Sequence, residues 1–336
     1  MTTQRDTIEG LKGEMSQWGW EATEDYAKKR PKPMYSKIAN VRPYSDLNMG
    51  GYWKGTSAIG AKSLVKRATY GKLYRDNPMD GYTVYATGFD ATLRFDIPVE
   101  IDLHWKRTKD YLRDYIKKNI PQAIEEFKED LVFEQIRKGG LTAGDACFSQ
   151  ANAAIAFDGY STANLPYDGK PTYALEGNEH TSKNGKLSFF NAFAEADTDF
   201  ALAKKMWNKY VHDNAFMENG QPIDLRDEVV VVCAGGLELD WDVINNSTLQ
   251  PDTAENPKNP LKGKFKEIIA SNRISTTTMS VIGAYQNMYE LFLGDPIFNY
   301  WEENDPPARC ASVRLPYAIT QRNWRLAGVA NNAPIA

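Results

Sequence analysis

The sequence predicts an α+β fold, built as one large or two intertwined domains, and three observations carry that expectation. An apolar stripe at helical spacing runs through 106–138. Between 50 and 98, two stretches rich in β-branched and aromatic residues flank a turn-forming segment. From 186 onward, helical patterns alternate with short apolar runs, the plainest being four consecutive valines, Val229 to Val232. At 336 residues the chain exceeds one typical domain.

Residues 1–49 read as a short amphipathic helix followed by an irregular arm. Trp18, Trp20 and Tyr26 are its candidate anchors, and the run Lys28 to Pro33 (KKRPKP) stops any helix there. Such an arm has little to bury by itself and is expected to lie across something else. Residues 50–98 follow as a long hairpin, with strands in KSLVKRATYGKLY and GYTVYATGFDATLRFDIPVEI on either side of the turn Arg75 to Gly81 (RDNPMDG). A two-stranded hairpin is marginal in water, so it packs on this chain's body or reaches a neighbour.

The long helix over 106–138 places Leu112, Ile116, Ile120, Ile124, Phe127 and Leu131 on one face and mixed charge on the other. Pro121 is expected to bend or break it near Ile120, and Gly139 and Gly140 end it. Loop-rich sequence leads to a second helix over 188–214, with the acidic cluster Glu195 to Asp199 at its first turns, where negative charge suits the dipole. DEVVVVCA reads as a fully buried strand, and the segment after Gly235 and Gly236 as a helix. KFKEIIASNRIS and TTTMSVIGAYQ read as strands, and ASVRLPYAIT as the last apolar segment.

Catalytic and metal-binding signatures are missing from this pattern. The three histidines, His104, His180 and His212, stand in no metal-ligand spacing. Glu179 and His180 read as a hydrogen-bonded surface pair. Glu100, Asp102 and His104 alternate along VEIDLHW and share one strand face, which usually marks the solvent side. The strand-Gly-Gly-helix unit at 229–246 lacks G-x-G-x-x-G, and there is neither a phosphate-cradling loop nor a nucleophile elbow. Cys147, Cys233 and Cys310 are odd in number and widely spaced, which speaks for small buried hydrophobes over a disulfide framework. No cofactor or metal is implied.

A formal net charge of −4 speaks against a dominant nucleic-acid-binding surface. MTTQRDTIEG has no apolar segment of a secretory signal, and no run reaches the roughly 18 apolar residues of a membrane span. A product of the cytosol, or one assembled there, is expected.

The order of these elements, with the Tyr-Asp-Gly turn and His-containing loop of YDGKPTYALEGNEHT and the turn into a Val-rich strand of NGQPIDLRDEVVVV, resembles the major capsid proteins of tailed bacteriophages. The likeness runs from about residue 35 onward and is nearest to the Mu-type major head subunits with the Hong Kong 97-like fold. It implies an N-terminal arm (1–49), an extended β-hairpin loop (50–98) and a peripheral domain (99–185) with a spine helix over 106–138. An axial domain (186–313) and a return to the peripheral domain with a C-terminal tail (314–336) complete the layout.

What the resemblance implies for function is assembly without catalysis. The chain would tile an icosahedral head as hexamers and pentamers around double-stranded DNA held without sequence specificity, joined by portal, scaffolding and decoration proteins. It would do so in the virion, after assembly in the host cytoplasm. Arg75, Asp76, Asn77 and Asp80 at the hairpin tip, with Trp18 and Trp20 in the arm, are the candidate contacts between subunits. The competing reading is a cytosolic α+β enzyme or ligand-binding protein with a site near Glu100, Asp102 and His104.

Overall fold

A computed structural model describes residues 16–26, 28–29, 33–47, 52–56, 83–87, 89–97, 105–138, 173–177, 179–181, 187–193, 199–216, 222–226, 228–251, 257–274, 279–304, 307–321 and 323–330. Its strands, in chain order, are β1 Ala39–Pro43, β2 Tyr52–Thr56, β3 Thr83–Thr87, β4 Phe89–Ile97, β5 His180–Thr181, β6 Ser188–Phe189 and β7 Ala192–Phe193. They continue with β8 Val229–Ala234, β9 Glu267–Ser271, β10 Ser280–Ala284, β11 Tyr289–Leu293, β12 Ile297–Asn304, β13 Pro307–Thr320 and β14 Ala327–Ala330. Helices cover 16–26, Tyr35–Ile38, Trp105–Lys138, Phe200–Asn208 and Glu238–Asn246.

Two five-stranded sheets form the body. The first is organised by β13, whose 14 residues serve three partners. β12 pairs antiparallel with its first half, β11 with its end, and β4 along its other edge. β1 closes the sheet by running parallel to β11, with Ala39 opposite Tyr289. The second sheet has the order β7-β14-β10-β8-β9, antiparallel at its centre and parallel at both margins.

At the centre of the second sheet, β8 explains the valine run. All six residues of Val229–Ala234 are buried because both faces of the sheet are covered. Val230, Val232 and Ala234 join a core shared with Tyr289, Leu291 and Ile319 of the first sheet and with Leu131, Val132, Phe133 and Ile136 of the long helix. Val229, Val231 and Cys233 face the opposite way, into a layer made by the helices Phe200–Asn208 and Glu238–Asn246. Phe265 stands between those two helices and takes the edges of Trp207 and Trp241 at centroid distances of 5.4 and 5.5 Å.

The long helix Trp105–Lys138 ties the two sheets together. Ile116, Ile120 and Ile124 pack on Phe298, Val313 and Leu315 of the first sheet, and the turns at 131–136 enter the shared core. The helix runs unbroken through Pro121, where sequence reasoning allowed a break. Proline removes one backbone hydrogen bond. The isoleucines on either side of it are held in one apolar cluster, so packing carries the helix across the gap.

Elsewhere the structure corrects the expected boundaries. The helix assigned to 188–214 begins only at Phe200, capped by Asp199 Oδ1, which accepts from the Leu202 amide at 2.7 Å. Residues 188–193 form β6 and β7 instead. ASVRLPYAIT is not the last element, because β14 follows it as a fully buried strand. The arm is not irregular throughout, since 39–43 is the edge strand β1. The strand expected at 62–74 lies outside the described residues, and the stretch expected as one hairpin arm divides between β3, which pairs with β2, and β4, which pairs with β13.

Candidate functional site

Without a catalytic signature in the sequence, the surfaces to weigh are those that leave the body or remain uncovered on it. The helix at 16–26 is docked on its own chain. Trp18 packs half-buried against the cluster of Ile116, Ile120, Ile124 and Phe298, and Glu21 pairs with Lys117 at 3.5 Å. Gly19 lies directly beneath the Phe298 ring, where a Cβ would come within 2.9 Å of it. Trp20 meets the same ring edge-on at 5.7 Å and keeps 40% of its surface exposed. The two tryptophans named as contact candidates thus share a phenylalanine, and Trp20 faces outward.

The base of the hairpin is a ladder of five antiparallel pairs, from Tyr52 opposite Thr87 to Thr56 opposite Thr83. β2 and β3 make a two-stranded sheet of their own, separate from both five-stranded sheets. Arg75, Asp76, Asn77 and Asp80 at the tip, and Glu100, Asp102 and His104 of the competing reading, lie outside the described residues.

Three buried polar side chains stand out, of which sequence reasoning had assigned only His180, to the surface. His180 is fully buried and stacked on Trp324 at 4.2 Å with an interplanar angle of 13°, so it is no surface partner of Glu179. Arg325 lies beside it, buried, with its guanidinium 4.1 Å from the centroid of the Trp324 ring. Only chain pairing across more than 140 residues brings these groups together, and no local spacing announces it. Asn191 is a third. Its Oδ1 accepts from the Ala174 amide at 2.8 Å, and its Nδ2 donates to the Trp324 and Ala327 carbonyls, each at 3.0 Å.

The described cysteines, Cys233 and Cys310, are both free and buried. Burial pushes the Cys233 thiol up to about 12, with the carboxylates of Glu238, Asp242 and Asp240 adding to the effect, so it stays protonated at neutral pH. Among the described residues, no group of three or more His, Cys, Asp or Glu side chains is placed to hold a metal ion. None of the described helices is long and apolar enough to cross a membrane.

Capsid structures overlap this chain. A virus-like particle from Pyrococcus furiosus covers 96% of it and is itself covered to 99%, at 10% identity and a TM-score of 0.47. The capsid of Ralstonia phage GP4 gives 84% and 82% coverage, 11% identity and a TM-score of 0.44. A chain of Mycobacterium phage Patience gives 97% and 87% coverage, 8% identity and a TM-score of 0.49. At such identities and with TM-scores below 0.5, these overlaps assign no family. No family model matches the sequence, and no curated protein matches it.

Proposed function

We propose that this chain is a major capsid subunit of a tailed-bacteriophage head, with the Hong Kong 97-like fold and nearest to the Mu-type head subunits. It self-assembles into hexamers and pentamers of an icosahedral shell that encloses double-stranded DNA. Its work is structural. Portal, scaffolding and decoration proteins are its further partners in the virion, with assembly in the host cytoplasm.

One observation carries the reading. The β2–β3 ribbon shares no ladder with either five-stranded sheet and meets the body only near its start, through β4 and beside β13, among the described residues. An isolated ribbon of two strands is marginal in water, and a neighbouring subunit supplies the surface it lacks. Its place between the arm and the long helix is the place the sequence resemblance gives to the extended loop. Arg75, Asp76, Asn77 and Asp80 at its tip, with Trp20 and the exposed part of Trp18, are the proposed contacts with the adjacent subunit. A closed shell multiplies such modest contacts through symmetry.

Sedimentation velocity with negative-stain imaging, across a concentration series and with crowding agent, tests this. Shells, tubes, or discrete hexamers and pentamers are expected. A chain that stays monomeric throughout, with the β2–β3 amides protected from hydrogen exchange by its own body, overturns it.

A further inference from the structure

The helix Glu238–Asn246 carries an apolar surface that this chain leaves bare. Trp241 and Ile244 turn inward and are buried, while Leu239 and Val243, one turn apart, are 75% and 52% exposed. Glu238, Asp240 and Asp242 fringe that pair, and none of the three forms an ion pair among the described residues. Negative charge in the first turn suits the helix dipole. The dipole gives no reason for two aliphatic side chains in water.

The loop after this helix has the opposite character. Between 257 and 266 it holds four exposed lysines, Lys258, Lys262, Lys264 and Lys266, and no acidic residue. Lys266 pairs with Glu228. The exposed rings of Pro257 and Pro260 add apolar surface beside the charges. This loop is fixed to the C-terminal end of the helix. Asn259 Nδ2 donates to the Ile244 and Ser247 carbonyls at 2.7 and 3.0 Å, and the Gly263 amide donates to the Asn245 carbonyl at 2.8 Å. An acidic, apolar face along the first turns of one short helix and a basic, proline-rich loop bound to its C-terminal end are therefore held by a single element.

We propose that these faces dock on one another between two copies of the chain, head to tail. Leu239 and Val243, with their acidic fringe, sit against the loop of Lys258, Lys262 and Lys264 of the next copy. The occupant is a second copy because the surface of opposite charge belongs to the same rigid unit. The contact is heterologous, so each copy offers both halves and a closed ring uses all of them. The inference rests on the shell-subunit reading and adds to it a specific contact within a capsomer.

Two charge-reversed chains test it, Glu238→Lys/Asp240→Lys and Lys258→Glu/Lys264→Glu. All four positions are exposed, and matching thermal melts check that the folds are kept. Each reversed chain alone carries two faces of like sign and is expected to need at least tenfold more protein to assemble. An equimolar mixture restores opposite signs at every contact, so rings of alternating chains with even subunit number are expected to return, weakening with salt as screening grows. A Leu239→Ser/Val243→Ser chain is expected to lose assembly without rescue by either partner. Folded reversed chains that assemble like the wild type, or a mixture that restores nothing, overturn this contact while leaving the shell reading intact. A wild-type chain that never assembles overturns both.

Discussion

Replacing Asn191 by alanine probes how the second sheet is closed. Asn191 is 3% exposed, and its side chain accepts from the Ala174 amide and donates to the Trp324 and Ala327 carbonyls. Its backbone stays engaged in any variant, with the amide on the Ala174 carbonyl and its own carbonyl receiving the Val329 amide. The perturbation thus leaves these three polar groups without that partner in the dry interior. At about 1–1.5 kcal/mol each, the loss is about 3–5 kcal/mol. With a urea m-value of about 3 kcal/mol/M, the unfolding midpoint should fall by roughly 1–1.5 M.

Asn191→Asp sharpens the test. The carboxylate still accepts from Ala174 but faces two carbonyls with no proton to offer, so its folded pKa lies above the unfolded value of about 3.9. A raised carboxyl pKa makes the folded state relatively more stable as pH falls, because the neutral acid regains one donor. The Asp variant should therefore gain on the Ala variant as pH drops from 7 towards 4, both measured in urea at each pH. A midpoint shift below 0.2 M for Asn191→Ala (about 0.5 kcal/mol), or an Asp-to-Ala gap independent of pH, refutes the hydrogen-bond account.

Other outcomes follow from the same geometry. Gly283→Ala should cost about 1–3 kcal/mol, because its Cβ would lie 2.6 Å from Met288 Sδ and 2.8 Å from the Leu326 carbonyl oxygen. Gly236→Ala, with nothing within 4 Å of its Cβ, should change the urea midpoint little. Cys233 in a Cys147→Ser background should resist a thiol reagent at pH 8 in the folded state and react at once in denaturant. The raised thiol pKa also means that its stabilising share is whole below the unfolded value of 9.0 and is lost as pH climbs towards 12. Arg42→Met should cost about 2 kcal/mol and Glu290→Gln less, because removing the half-exposed arginine leaves the buried Glu290 carboxylate with a poorer set of donors.

How much of this was legible in the chain depended on whether the signal was local. β8 was readable because a strand covered on both faces needs apolar residues without alternation, and four valines state that directly. The long helix was readable because its stripe is long enough to survive a proline. The onset at Phe200 was misplaced because Phe189, Phe190 and Phe193 mimic helical spacing, whereas the deciding group was a single capping carboxylate, Asp199. β1 escaped because five residues gain strand character only from β11, some 250 residues on. The burial of His180 under Trp324 has the same origin.

The pairing of β1 with β11 and of β4 with β13 sets a rule for synthesis. The first sheet draws strands from early and late parts of the chain, and in the second sheet β14 lies between β7 and β10 rather than at an edge. A ribosome that has made the first 280 residues has produced β4 without its partner and β8 beside only β9. The first sheet cannot close until β13 has been made, nor the second until β14 has, and distant pairings such as β1 with β11 are slow to form. A chain that stops before β14 therefore leaves the second sheet split between β7 and β10, with both cores open to water.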